Sequence, residues 1–247
     1  MNTKKLNTTL ELINSIQLSQ TKNNIRSCLE ELTKSLNCEY YLFAIINPKS
    51  MIKSDVKILD NYPLYWRNYY DEANLITDDP IVDYSSSHHS PINWSIFEKQ
   101  TKKNTKVNVI EEAKISGLYS GFSFPIHTHN GGFGMISFAN SEKDKHIDKL
   151  FLNACMNVPL ILPSLLDSNK RITEDNQQEN INLTKREKEC LIWSCEGKST
   201  WEISKILNCS ERTVTFHLTN SQIKLSANNR CQSISKAILT RSMSPLY

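Results

Sequence analysis

Two helix-start signals close together near the C-terminal end constrain this chain more than anything else in it. Thr184-Lys185-Arg186-Glu187 and Ser199-Thr200-Trp201-Glu202 both place a hydroxyl residue three positions before a glutamate. In that spacing the hydroxyl accepts from a backbone N–H of the first turn, and the carboxylate reaches back to the capping residue. Each signal precedes a short apolar stripe: Cys190, Leu191 and Ile192, then Ile203, Ile206 and Leu207. Gly197 stands where the first helix must stop, because glycine tolerates the left-handed backbone of a helix end. Asn208-Cys209 breaks the second stripe, and Ser210 caps a third helix whose Val214, Leu218 and Leu225 face inward. A fourth, around Arg230–Leu239, carries Ile234, Ala237 and Ile238. Helices this short are unstable alone and must pack on one another. Two of them joined by a tight turn form a helix-turn-helix.

Charge points the same way. The 247 residues carry a formal net charge of +3. From Ile181 onward ten Lys and Arg face five acids, whereas the first 180 residues sum to −2. A small basic module therefore follows a near-neutral one, and a polyanion suits it. The third helix carries Arg212, Thr213, Thr215, Phe216, His217, Thr219 and Lys224. Thr215, Phe216 and Thr219 lie near its solvent face and suit base edges in a major groove, the ring favouring a thymine methyl. Lys198, Thr200, Arg212, His217 and Lys224 are placed for phosphates. The alternative is a small helical bundle with an ordinary polar surface. The paired capping boxes, the basic balance and the terminal position agree on DNA.

The rest of the chain mixes helices and strands. Leu6, Leu10 and Ile13, then Ile25, Cys28, Leu29, Leu32 and Leu36, follow helical spacing. Cys38–Ile46 reads as a buried strand and Val56–Leu59 as a short one. Gly121–His127 and Gly132–Ala139 flank a His-Thr-His-Asn-Gly-Gly segment and predict an antiparallel hairpin. A long stripe from Ile147 to Leu166 predicts a closing helix, kinked or broken at Pro159 and Pro163. Asp167–Asn182 is polar and marks a linker. The expected class is α+β: an N-terminal α/β/α sandwich on an antiparallel sheet (residues 1–166), a linker (167–182) and a small all-α helix-turn-helix domain (183–247). The N-terminal residues do not read as a secretory signal. The apolar runs Tyr41–Ile46 and Val158–Leu166 are too short to span a bilayer, so no membrane insertion is expected. Seven cysteines without a CxxC pair fit a reducing cytoplasm better than a disulfide framework or a zinc site.

Longer runs resemble a known family. Leu183–Leu225 (LTKREKECLIWSCEGKSTWEISKILNCSERTVTFHLTNSQIKL) resembles the LuxR-type helix-turn-helix, with Glu187, Leu191, Gly197 and the RTVTFHL helix in the family's spacing. Asn61–Ser85 (NYPLYWRNYYDEANLITDDPIVDYS), Ser90–Trp94 (SPINW) and Ser120–His127 (SGFSFPIH) resemble the autoinducer-binding domain of quorum-sensing regulators, among them activators of bacterial luminescence. The resemblance implies a homodimeric transcriptional activator that takes an N-acyl-homoserine lactone as signal ligand, with a short 3-oxo chain, and needs no other cofactor. It also implies binding to a palindromic operator and contact with RNA polymerase. Carried over by position, Trp66 donates to the lactone carbonyl, Asp79 accepts the amide N–H and Tyr62 donates to the amide carbonyl. Trp94 walls the lactone end by packing, and Ser137 donates to the amide carbonyl or a 3-oxo group. Tyr70 and Pro80 are supporting positions, and Gly121 is a place where a side chain does not fit.

Other readings of these residues stay open in the sequence. Trp66 and Trp94 also suit plain core positions, and Asp79 before Pro80 suits a helix start. Asp78 and Asp79 suggest a phosphoacceptor, but no continuous apolar strand runs into them. His127 and His129 share a strand face, yet no third metal ligand is evident. Cys190 and Cys195 read as packing residues. An enzyme is not expected: GxSxG, P-loop, GxGxxG and metal-cluster motifs are missing. A helix-turn-helix regulator without ligand control, or controlled by phosphorylation, is the remaining alternative.

Overall fold

The structure is a computed structural model that describes residues 3–50, 52–99, 108–128, 131–143, 146–174, 182–240 and 242–243. His129 and residues 175–181 of the expected linker lie outside the described residues. The chain divides into two compact units.

The N-terminal unit begins with α1 (Thr3–Leu18) and α2 (Lys22–Ser35), followed by β1 (Tyr40–Ser50) and β2 (Lys53–Asp60). Three short helices come next, α3 (Leu64–Glu72), α4 (Pro80–Ser87) and, after β3 (Ile92–Asn93), α5 (Val109–Ile115). The predicted hairpin is β4 (Ser120–His127) with β5 (Phe133–Asn140), and α6 (Ile147–Glu174) closes the unit. The five strands lie in the order β2-β1-β5-β4-β3, and β1–β5, β4–β5 and β3–β4 pair antiparallel.

Alternation along the strands sorts their side chains between two cores. Tyr41, Phe43, Phe122, Phe124, Ile136 and Phe138 join the faces of α1, α2 and α6 in one cluster. Each such fully buried side chain contributes about 1.5–3 kcal/mol. Tyr40, Leu42, Met135 and Ala139, on the opposite face, meet residues of α3, α4 and α5 in a second cluster. Helices thus cover both faces of the sheet, as the α/β/α expectation has it.

Two sequence expectations shift. In α1 the buried residues are Thr9, Leu12 and Ile16, while Leu10 is 51% exposed. Ile13 of the predicted stripe packs against this core, Leu6 lies outside the residues whose side chains are described, and α1 meets α6 through polar pairs as well as apolar ones. Thr9 Oγ1 donates to Asn157 Oδ1 at 3.0 Å, and Ser168 Oγ donates to the Ile16 carbonyl at 2.7 Å. The expected break at Pro159 and Pro163 does not occur, and α6 runs through both. Both prolines lie on the exposed side, where water can take the carbonyls they leave unpaired. Ala154, Val158, Ile161 and Leu165 hold the buried side continuous. The helix extends to Glu174, so the first half of the expected linker is helical. By length and composition α6 also passes as a membrane span. Its buried stripe and its hydrogen bonds to α1 make it a core helix here.

The C-terminal unit consists of α7 (Lys185–Cys195), α8 (Thr200–Ile206), α9 (Glu211–Lys224) and α10 (Arg230–Leu239). Both capping boxes form, with Thr184 accepting from the Glu187 N–H and Ser199 from the Glu202 N–H. Gly197 takes φ +79°, the left-handed conformation that ends α7. Leu183, Cys190, Leu191, Ile203, Val214, Leu218, Leu225 and Ala237 form its own core. Cys190 is buried among them, whereas Cys195 is exposed and does not pack.

Candidate functional site

The sheet face turned toward α3, α4 and α5 does not close completely. A cavity of about 90 Å³ remains, and Tyr62, Trp66, Asp79, Trp94 and Ser137 all line it. Each arrives by a separate local device. Trp66 is the buried residue of α3, 4% exposed, with its ring against Tyr69 and Tyr70. Asp79 is the N-cap of α4: Oδ1 accepts from the Ile81 N–H at 2.8 Å, and Pro80 occupies the first helical position. The helix-start reading of Asp79 and its place at the cavity therefore coincide. Trp94 opens a 3-10 turn after β3, and Ser137 lies mid-strand in β5. Leu42, Ala44 and Ile46 of β1, Val56 and Ile58 of β2, and Val109, Ile110 and Ala113 of α5 make the remaining wall apolar.

Few polar atoms enter this space, and they are strongly conditioned. Asp79 Oδ2 accepts from Tyr70 Oη at 2.8 Å. Burial pushes the Asp79 carboxyl above its ordinary value, opposed by the hydrogen bonds from Tyr70 and from the Ile81 and Val82 N–H groups. Burial, reinforced by Asp79, drives the Tyr70 hydroxyl upward. Burial also drives the Tyr62 hydroxyl upward, with Asp60 and Asp79 adding to it. Both phenols are thus protonated donors at any working pH. The Tyr62 hydroxyl and the Trp66 indole N–H have no hydrogen-bond partner among the described residues. Arg67 also lines the cavity, its Nε 3.4 Å from Asp60 Oδ2.

Trp94 Nε1 donates to Ser123 Oγ at 2.8 Å, and Ser123 Oγ lies 2.7 Å from Ser137 Oγ. Ser123 and Ser137 are direct cross-strand partners in β4 and β5. Trp94 therefore meets the cavity with its ring and not with its N–H. A Cβ on Gly121 would stand 2.7 Å from both the Phe138 carbonyl oxygen and the Trp94 ring, so no side chain fits there. The sequence reading passed over Ser123 and Arg67. For Ser123 a signal existed, since it alternates onto the same strand face as Gly121, across from Ser137.

The second candidate surface is α9. Val214, Leu218 and Ser221 face its core, leaving Arg212, Thr213, Thr215, Phe216 and Thr219 exposed and His217 partly so. Phe216 is 61% exposed, a large apolar ring facing water. Thr215 Oγ1 donates to the Glu211 carbonyl at 2.9 Å. Lys198 and Thr200 lie at the start of α8, Lys198 within 3.8 Å of Glu202. Lys224, placed for phosphates in the sequence, also has a partner within the domain. Its Nζ donates to Glu187 Oε2 at 2.8 Å and to the Asn182 carbonyl at 3.2 Å. Glu187 is buried, so its charge demands a partner, and the end of α9 supplies one. Burial works to raise the Glu187 carboxyl, but the bonds from Lys224 and Thr184 outweigh it and hold the group below its ordinary value.

The histidines form no metal centre among the described residues. His127 lies against His89, ring centroids 4.2 Å apart, with Nε2 3.3 Å from the Ser86 carbonyl.

Known proteins share both halves of this architecture. The family model described as "Autoinducer binding domain" matches residues 21–161, and that described as "Bacterial regulatory proteins, luxR family" matches residues 181–237. The chain is 66% identical over 232 residues to the transcriptional activator protein LuxR of Aliivibrio fischeri, covering 94% of this chain and 93% of that one. To a second Aliivibrio fischeri LuxR it is 60% identical over 247 residues, covering 100% and 99%. The crystal structure of Escherichia coli SdiA has a TM-score of 0.77 at 26% identity, covering 97% of this chain and 99% of that chain. An inward-facing cavity in the first unit, an exposed helix-turn-helix face in the second, and these likenesses across nearly the whole length lead to one assignment: the chain belongs to the LuxR family of quorum-sensing transcriptional activators, which are transcription factors and not enzymes.

Proposed function

We propose that the cavity binds an N-acyl-homoserine lactone with a short 3-oxo chain. One observation carries this: Tyr62 and Trp66, whose hydroxyl and N–H have no partner among the described residues, line a largely apolar cavity together with Asp79 and Ser137. A ligand with two carbonyls, one amide N–H and an apolar tail matches that set. Trp66 donates to the lactone carbonyl, Tyr62 to the amide carbonyl, and Asp79 accepts the amide N–H. Ser137 donates to the amide carbonyl or the 3-oxo group, and Trp94 walls the lactone end. The apolar residues of β1, β2 and α5 surround the tail.

The sensing domain, placed at residues 1–166 by sequence and carried to Glu174 by α6, then dimerises. Leu152, Met156 and Leu160 are exposed at four-residue spacing on α6, an apolar stripe that suits a second copy of the chain. Two helix-turn-helix domains (residues 183–247) address two half-sites of a palindrome about one helical turn, or a multiple, apart. Thr213, Thr215, Phe216 and Thr219 of α9 meet the major groove, with Lys198, Thr200, Arg212, His217 and Lys224 toward phosphates. Bound at a promoter, the dimer contacts RNA polymerase in the cytoplasm. The high identity to LuxR supports luminescence genes as targets.

The test is soluble yield and thermal stability of the full chain with and without 3-oxo-hexanoyl-homoserine lactone. A ligand that binds only the native state stabilises it by mass action. A large gain supports the reading. A chain indifferent to acyl-homoserine lactones of every length overturns it and leaves a regulator controlled in another way.

A further inference from the structure

We propose that Ser123, which lies behind the cavity wall, fixes the direction of the hydrogen bond that Ser137 offers to the ligand. It makes Ser137 a donor aimed at a ligand carbonyl. The proposal rests on the reading of the cavity as an acyl-homoserine lactone site.

Trp94, Ser123 and Ser137 form a short chain of buried groups with a limited number of protons to share. An indole N–H only donates, so Ser123 Oγ accepts from Trp94 Nε1 at 2.8 Å. Between Ser123 Oγ and Ser137 Oγ, 2.7 Å apart, either hydroxyl has the geometry to donate. The two choices differ in what they leave over. If Ser137 donates, Ser123 accepts twice and its own proton has no other acceptor among the described residues. Ser123 is fully buried, so that orphaned donor carries the full desolvation penalty. If Ser123 donates, every group behind the wall is satisfied, and the Ser137 proton is released toward the cavity that Ser137 lines. Polarity therefore runs one way, from Trp94 through Ser123 to Ser137 and out to the ligand. Buried hydrogen bonds arranged in series also strengthen one another. A ligand oxygen that only accepts, such as a carbonyl, meets a donor already oriented for it. Ser123 touches no ligand atom in this scheme and is a positioning residue. Trp94 holds two jobs, a ring that walls the cavity and an N–H that sets the chain's direction.

The test is a double-mutant cycle on the full chain. Its readout is the half-maximal concentration of 3-oxo-hexanoyl-homoserine lactone for ligand-dependent soluble accumulation. Ser137→Ala raises that concentration about tenfold, the size expected for one well-placed hydrogen bond. Ser123→Ala raises it by a similar factor, although it removes nothing that lines the cavity. Ser123→Ala combined with Ser137→Ala adds no more than about twofold to Ser137→Ala alone, because the two residues act as one unit. Ser123→Thr, which keeps the hydroxyl, stays within about threefold of the native chain. If Ser123→Ala yields no soluble protein at any ligand concentration, Ser123→Cys, close in size and a weak donor, takes its place in the cycle. A Ser123 effect that persists in full when Ser137 is alanine marks a general packing role and overturns the proposal, as does a Ser123 substitution without effect. A native chain that ignores the lactone overturns the ligand reading itself, and the proposal falls with it.

Discussion

The two faces of the N-terminal sheet are built from the same five strands but do opposite work. Toward α1, α2 and α6 the strands present Tyr41, Phe43, Phe122, Phe124 and Phe138, all essentially unexposed. Rings there meet edge-to-face and tilted, as Phe122 does with Phe124, Phe138 and Phe151. Tyr41 Oη is a buried polar atom without a partner among the described residues, and burial, then Glu30, pushes this hydroxyl up to about 12. The other face alternates to Leu42, Ala44, Gly121, Ser123, Met135 and Ser137, which are smaller or polar. Large rings dominate one layer, while smaller and polar residues line the cavity of about 90 Å³ on the other; a second cavity, of about 140 Å³, lies among α1, α2 and α6, lined by Leu12, Leu32, Leu36 and Ile161. The interlocked rings carry stability, and the face proposed for binding is the one lined by small and polar residues. The helix-turn-helix extends the contrast, since Arg212, Thr215, Phe216 and Thr219 face outward while buried Ser194, Ser204 and Ser221 donate to backbone carbonyls of their own helices.

Substitutions that separate the two faces test this. The largest expected effect is on the filled face: Phe122→Ala costs about 3–5 kcal/mol of stability. Unfolding followed by thermal melting shows this loss equally with and without saturating ligand. A loss confined to the ligand-free chain would mean that the filled face also serves binding. On the open face, Trp66→Phe keeps a ring and removes the N–H. Its half-maximal ligand concentration rises about tenfold or more, while ligand-free stability changes by less than about 1.5 kcal/mol.

The third effect lies in the helix-turn-helix. Lys224→Met removes the partner of buried Glu187 and lowers the melting temperature of that unit. The expected cost is about 1–2 kcal/mol, reduced because the lysine end is one-third exposed. The interaction also has a pH signature. The folded Glu187 carboxyl is depressed below its ordinary 4.5. Its contribution is therefore complete above 4.5 and is lost as pH falls through the lower folded value. Melting curves between pH 6 and 3 should show Lys224→Met and the native chain converging at the acid end. Parallel curves would deny the pair its role. The smallest effect is expected for Arg212→Ala. It weakens operator binding modestly and reduces the slope of log affinity against log salt by about one, with the ligand response unchanged. An unchanged slope would place Arg212 away from phosphate.

Capping and turn chemistry were legible because they are complete within a few residues. Thr184 with Glu187, Ser199 with Glu202, Ser210 at the head of α9, and the hairpin around Gly131-Gly132 need no distant partner to declare themselves. The sheet's two-sided pattern was partly legible for the same reason, since alternation in β1 and β4 is local. By contrast, α3, α4 and α5 left no stripe to read. They turn toward a cavity and bury few residues each, such as Trp66 in α3 or Ile81 and Ser85 in α4. The five ligand-site positions came from family resemblance, not from pattern. Alone, a tryptophan at 66 or 94 reads equally well as core.

The sequence by itself determined the caps and stops of the C-terminal helices and that a basic helical module follows an α+β domain, because hydrogen-bond caps and hydrophobic periods act over one or two turns. Tertiary structure decided the rest. It exposed Leu10 of α1 and let α6 run through two prolines that lie on its exposed side. It drew Lys224 to Glu187 and gathered Tyr62, Trp66, Asp79, Trp94 and Ser137 around one space. Burial and pairing depend on neighbours dozens of residues away, and only the folded packing brings those neighbours together.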